Sequence, residues 1–358
     1  MRVPFGRRQA IGLVLGHSDE SALPAGKLRR CTEIIDTTPI LSAADLRLIR
    51  FTSDYYHHPI GEVVAAALPA LLRHGKPLHP TVETIAVTDA GEATNIDTLA
   101  TRAPKQAELL ELLLDAGVVG VEADRLTEEL PNWRRAAAPL FKKGYITRRD
   151  LPSDDFNETL ANTASKRLTL NEGQQRALQT LRAGDAFGTY LIDGVTGSGK
   201  TEVYLQRMQD IIDRGKQVLV LAPEIGLTPQ LVARLRDRLG IEPALLHSAL
   251  PDNERLAAWR AARSGAARLV VGTRSAIFTP LKRPGLIIVD EEHDHSFKQQ
   301  EGLRYSARDL AIVRAKQLDV PVILGSATPT LEMLQHCHEG NYEHIRLPVR
   351  AGGAKPPT

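Results

Sequence analysis

Gly194-Val195-Thr196-Gly197-Ser198-Gly199-Lys200-Thr201 places three glycines, a lysine and a hydroxyl at the spacing GxxxxGKT. Glycines at these points let backbone N–H groups curl around a phosphate, where a side chain would stand in the way. Lys200 suits the β- and γ-phosphates of a nucleotide, and the Thr201 hydroxyl suits Mg²⁺. The apolar run TYLID before the glycines predicts a strand, and KTEVYLQRMQDII after them predicts a helix whose positive end faces the anion. A chance glycine-rich turn would lack both flanks. The second stretch, LIIVDEEH over Leu286–His293, drives an apolar run straight into carboxylates. Asp290 can hold Mg²⁺ through water, and Glu291 can orient or deprotonate an attacking water. A solvated charged face is the bland alternative. The four apolar residues leading in argue against it, because ligands gather at the ends of parallel strands. The two stretches together predict a nucleoside triphosphatase.

The elements around them fit that chemistry. From residue 168 onward apolar strands alternate with helical segments, at Tyr190–Ile192, Val218–Ala222, Leu269–Val271, Leu286–Val289 and Val322–Leu324. Such alternation predicts an α/β parallel sheet covered by helices over 168–348. Residues 1–100 mix β-like runs (Ile11–Leu15, Thr84–Val87) with one helical stretch, Ala43–Tyr56, and many Pro and Gly punctuators. Residues 103–150 read as three short helices and a hairpin, the order of a winged helix. Pro139 interrupts the third helix of that module, where an interior proline costs about 3 kcal/mol. Residues 151–167 read as a linker, and 349–358 as a second.

Composition bounds the rest. The 358 residues carry a net charge of +2, so charge argues only through local clusters. Pro131–Arg149 is such a cluster, basic without an acid, and by itself suits a duplex backbone and a solvated basic face equally. No apolar run reaches the roughly 20 residues of a membrane span, and no signal peptide is read, which makes the cytoplasm the expected location. The two cysteines, Cys31 and Cys337, lie far apart, and no zinc is expected. His57 and His58 are adjacent, lack further ligands nearby and read as structural. Trp133 falls at helical spacing with Leu140 and reads as core.

Further blocks give a resemblance. Asp-Glu-x-His at 290–293, PEIGLTPQ at 223–230, GTRSAIF at 272–278 and GSATPTLEML at 325–334 resemble, in order, the motifs of DEAH-type motors of the second helicase superfamily. The match narrows with GVTGSGKTEVYL, LHSAL, DEEHDHSFKQQEGLRYSARDLA and DYYHHPIGEV. These resemble the primosomal protein N-prime family of bacterial replication restart helicases nearly word for word. The resemblance implies a RecA-like P-loop lobe, preceded by a winged helix and a small β-rich domain binding DNA 3′ ends. It implies ATP with Mg²⁺, and 3′-to-5′ unwinding in replication restart. The implied partners are forked and single-stranded DNA, 3′ ends, single-stranded DNA-binding protein and primosome proteins.

Residue by residue, the resemblance implies that Gln174 reads adenine. Thr228, Thr273 and Arg274 grip the strand backbone, and Ser326, Ala327 and Thr328 couple the nucleotide to DNA, with His293 as relay. Gly6 and Arg29 match positions of the 3′-end pocket. The loop after the carboxylates resembles an aromatic-rich sensor, with Phe297 and Tyr305 stacking on bases and Lys298 and Arg304 facing phosphates. An ordered cap over the core is the alternative for that loop. Against the family's pattern the chain enters part-way through the 3′-end domain and supplies no second lobe. It is therefore expected to bind nucleotide and DNA without unwinding. A non-catalytic DNA-binding module and another DNA translocase are the rival readings.

Overall fold

The computed structural model describes residues 1–79, 81–117, 120–152 and 168–351. The chain folds as two compact units, Met1–Leu78 with Phe156–Thr358, and His79–Asp155. The second unit therefore starts near residue 79, and not at 103 as texture suggested. The reason is strand pairing, described below. Most of the linker expected over 151–167, and residues 352–358 of the final one, lie outside the described residues.

The first unit opens with a hairpin, β1 (Arg2–Phe5) and β2 (Arg8–Ile11), paired antiparallel from Arg2–Ile11 to Phe5–Arg8. Gly6 takes φ +62° at its turn, a conformation that favours glycine. The strand expected over Ile11–Leu15 is the end of β2 followed by irregular chain. Helices Ala43–Tyr55 and Ile60–Ala67 follow. The first is closed by a capping box, in which Ser42 and Asp45 satisfy each other's backbone N–H.

The second unit builds a three-stranded antiparallel sheet from β3 (Thr81–Val87), β4 (Val121–Glu122) and β5 (Ile146–Pro152). β3 lies between the other two, and Val87 pairs with Ile146. This pairing takes residues 81–87 out of the N-terminal domain. Helices Pro104–Asp115, Ala123–Glu129 and Trp133–Lys142 bury Leu109, Leu113, Leu126, Trp133 and Leu140 in one small core, giving a winged helix. The last helix runs unbroken through Pro139. Its buried face, Trp133, Ala137 and Leu140, holds the turn that proline weakens.

The motor sheet has seven parallel strands: β6 (Thr189–Gly194), β7 (Gln217–Leu221), β8 (Ala244–Leu246), β9 (Leu269–Gly272), β10 (Pro284–Val289), β11 (Val322–Ser326) and β12 (Glu343–Leu347). Their order is β12-β6-β11-β10-β7-β9-β8. The parallel α/β sheet is thus as expected. β7, β9 and β11 are buried along their whole length, as strands covered by helices on both faces must be.

One apolar core joins the N-terminal helices to the motor lobe. Leu48, Ile49 and Val63 share it with Phe278, Phe297 and Tyr305. Inside this junction lies Arg314, on helix Ala307–Leu318. Its guanidinium donates to the carbonyls of Ile277 and Thr279 and lies 3.7 Å from the Asp45 carboxylate. Burial pushes its pKa down to about 10, with Asp45 pulling it back up. Removing one partner of such a buried arrangement strands the others. Arg314→Leu is therefore predicted to lower the unfolding free energy by about 3–5 kcal/mol, read from the urea midpoint. A loss no larger than that of a surface change, about 0.5 kcal/mol, would contradict this.

Candidate nucleotide and nucleic-acid site

β6, β11 and β10 are neighbours in the sheet, and their carboxyl ends carry the three motif loops. Ser326 pairs with Asp193, and Val289 pairs with Leu324. The phosphate loop, the Asp290 turn and the Ser326–Thr328 segment consequently emerge side by side. Gly197 and Gly199 take φ +81° and +83°, and helix Lys200–Asp213 starts at Gly199. At Gly199 a Cβ would come 2.2 Å from Gln174 Nε2, the end of a side chain that can give way, so it is the backbone angle that favours glycine there. The Ser198 hydroxyl is buried without a protein partner among the described residues. A bare glycine cradle at a helix start, an inward lysine and an orphaned hydroxyl fit a bound phosphate. Val195 and Thr196 form the exposed tip of the loop.

Lys200 Nζ donates to the Gly194 carbonyl at 2.9 Å and lies 3.5 Å from Glu291 Oε1. Burial, then the neighbouring Glu291 charge, pushes Asp290 up to about 6, while Lys200 pulls it down. Glu291 has φ +51°, an uncommon left-handed conformation for a non-glycine residue. His293 Nδ1 lies 2.7 Å from Ser326 Oγ, which also accepts from the Thr328 N–H at 3.1 Å. The carboxylate turn and the Ser326–Thr328 segment are therefore physically tied. Thr201 stands on the first turn of the helix, where its hydroxyl, with Asp290, could hold Mg²⁺.

Three expected roles change. Gln174 is 4% exposed, and its carboxamide is committed. Its oxygen accepts from the Asn171 N–H, and its nitrogen donates to the Ser198 carbonyl at 2.8 Å. It braces the phosphate loop, and adenine reading would need it to let go. Phe297 and Tyr305 are 2% and 3% exposed, so in this arrangement they do not stack on bases. Tyr305 packs edge-on against Phe278, and both join the apolar core with Leu303. Their burial returns more free energy than solvent exposure would, which makes the loop an ordered cap. Thr273 is 4% exposed, so in this arrangement its side chain offers little surface to a strand backbone.

The other expected DNA contacts sit as follows. Lys298 and Arg304 are exposed on the cap. Arg274 is partly buried and donates to the Ser296 carbonyl at 3.2 Å. The Thr228 hydroxyl accepts from the Leu231 N–H and caps helix Pro229–Leu239. Gly6 and Arg29 are exposed in the N-terminal segment. In the winged helix Arg134, Arg135, Lys142, Lys143, Arg148 and Arg149 are all exposed.

Sequence reasoning missed Glu292, which is buried and accepts from the Thr330 N–H and from Arg308. It locks the carboxylate turn to the segment after Thr328. Its signal was the third acid of DEEH, beyond the two given metal and water roles. His58 pairs with Glu62 at 2.8 Å, in keeping with a structural role.

Comparison with known proteins follows this geometry. Residues 171–336 match the DEAD/DEAH box helicase family, and residues 1–69 match the PriA 3′ DNA-binding domain. Replication restart protein PriA of Haemophilus influenzae is 40% identical over 98% of this chain and 48% of its own length. That of Bacillus subtilis is 31% identical over 97% of this chain and 51% of its own. The chain belongs to the PriA family. It spans about half the length of the curated PriA relatives it matches. RecG bound to a three-way DNA junction aligns at a TM-score of 0.42 with 25% identity, over 52% of this chain and 25% of that one. The helicase match in this PriA-family chain runs from Asn171 past Thr328, and so contains all three motif loops.

Two outcomes follow. In magnesium-free buffer, Asp290→Asn is predicted to stabilise the fold at pH 7 relative to pH 5. The folded pKa is raised, so ionised Asp290 destabilises the fold above about 6, and that penalty disappears as pH falls. About 1.4 kcal/mol per unit over the window from the ordinary carboxylate value to about 6 totals about 3 kcal/mol, of which the part gained between pH 5 and pH 7 is about 1 kcal/mol. A thermal midpoint difference that does not change with pH would refute it. Separately, Tyr305→Ala is predicted to cost about 3–5 kcal/mol, against little change if its ring were free to stack.

Proposed function

We propose that this protein is the ATP-binding, DNA-binding part of a replication restart DNA helicase acting 3′ to 5′. What carries this reading is the meeting of the phosphate loop, Asp290–His293 and Ser326–Thr328 at the ends of three adjacent strands. The family membership supports it. Lys200 and the backbone amides of the glycine loop bind the phosphates of ATP. Thr201 and Asp290 hold Mg²⁺, which neutralises charge on the phosphate oxygens when bound. Glu291 orients the attacking water and takes its proton. His293, hydrogen-bonded to Ser326, passes the state of that carboxylate turn to the segment that senses DNA. The DNA side of the reading rests on Lys298, Arg304 and Arg274, on the N-terminal domain with Gly6 and Arg29, and on the six exposed basic residues of the winged helix.

Forked DNA, single strands and 3′ ends are the proposed substrates. Single-stranded DNA-binding protein and primosome proteins are the proposed partners. The proposed location is the cytoplasm, at the nucleoid; no helix of the described residues is long and apolar enough to cross a membrane. The 358 residues by themselves are expected to bind without unwinding. The described residues hold one motor sheet, and an arginine finger contributes about 10³–10⁵ in rate in comparable enzymes.

The test separates the two sites. Lys200→Ala removes a charge-assisted contact worth about 1.5–3 kcal/mol, and so should weaken ATP binding about tenfold or more. Forked-DNA affinity by fluorescence anisotropy should stay within about twofold. Loss of both together would overturn the separation, and forked-DNA binding with no ATP binding by the unaltered protein would favour a non-catalytic DNA-binding module.

A further inference from the structure

Tyr204 lies one turn beyond Lys200 on the helix that leaves the phosphate loop, and it is fully buried. A buried tyrosine hydroxyl normally finds a partner. This one has no protein partner at ordinary hydrogen-bond geometry among the described residues, and the Asp290 carboxylate is an acceptor within its reach. It rests instead on Gly325, the residue before Ser326. A Cβ at Gly325 would stand 1.6 Å from the Tyr204 hydroxyl and 3.2 Å from Asp290 Oδ1. The hydroxyl and the carboxylate therefore crowd the same bare patch of β11 backbone. The Gly325 carbonyl also accepts from the Glu292 N–H at 2.8 Å, so the carboxylate turn is fastened to this one residue from its other side.

A phenylalanine would fill the same apolar space without burying an oxygen. The oxygen needs a reason, and the Asp290 carboxylate is the acceptor it faces. We propose that Tyr204 is a positioning residue for Asp290: its hydroxyl, seated on the bare Cα of Gly325, holds that carboxylate where it can take the metal. This rests on the nucleotide reading given above and adds a residue to it. Glycine at 325 is then required for more than a turn. It is the seat that lets the phosphate-loop helix reach across β11 to β10.

The probe is a fluorescent ADP analogue, titrated into the full chain with magnesium and again with EDTA. Tyr204→Phe should lose most of the magnesium-dependent gain in affinity, about five- to tenfold, while its EDTA affinity stays within about twofold of the unaltered chain. Gly325→Ala should reproduce that loss by displacing the hydroxyl. The double variant should be no worse than Gly325→Ala alone, because both act on one contact. A magnesium response in Tyr204→Phe equal to that of the unaltered chain would overturn the role of Tyr204. So would an equal loss in EDTA, which would mark a general packing defect, or additive losses in the double variant. Failure of the unaltered chain to bind the probe at all would overturn the nucleotide reading itself.

Discussion

The placement of β11 between β6 and β10 is the constraint on which the rest depends. Chain order alone would not make these strands neighbours, since four strands and their helices separate β6 from β11. Parallel strands joined by right-handed crossovers place all carboxyl ends on one edge, and the strand order decides which ends meet. Here the phosphate loop and the carboxylate turn flank a strand that ends in Gly325 and Ser326. Gly325 gives room where a side chain would push the two apart, and Ser326 supplies the hydroxyl that His293 reaches. A strand buried along its whole length fixes that spacing to within the tolerance of packing.

The second organising interaction lies on the other face. Arg314 binds two carbonyls of the segment after Arg274 and faces Asp45 of the first capping box. The Tyr56 hydroxyl accepts from the Ser306 N–H at 3.1 Å, and Arg263 donates to the Pro39 and Ile40 carbonyls. The N-terminal segment is thus fastened both to helix Ala307–Leu318, at whose start the polar cap ends, and to helix Asp252–Ser264. The cap itself is held by the apolar contacts of Phe297, Leu303 and Tyr305.

Much of this was legible in the residues. The five apolar strands read from the sequence are all present, and the phosphate loop and carboxylate turn lie where their flanks placed them. Two strands of the motor sheet were not legible. β8 is three residues long, and β12, Glu-His-Ile-Arg-Leu, alternates at the sheet edge and lacks a continuous apolar run. The winged-helix boundary was missed because β3 pairs with β5, far away in sequence, and composition cannot report pairing. Phe297 and Tyr305 show the limit of residue type as a guide. An aromatic suited to stacking on a base is equally suited to an apolar core, and only the neighbours, Phe278 and Leu303, decide. Gln174 is similar: the same carboxamide can read a base or brace a loop.

The shared core also bears on what counts as a module here. The two family matches, 1–69 and 171–336, invite the view that the N-terminal segment is an accessory appended to a self-sufficient engine. The packing argues otherwise. Leu48, Ile49 and Val63 cover the same apolar surface that Phe278, Phe297 and Tyr305 present from the motor side. Excising the first 78 residues would leave that surface wet and Arg314 facing no carboxylate, so an engine cut at the motif boundary would be sticky and prone to self-association. The unit that folds together is thus larger than the one that carries the chemistry.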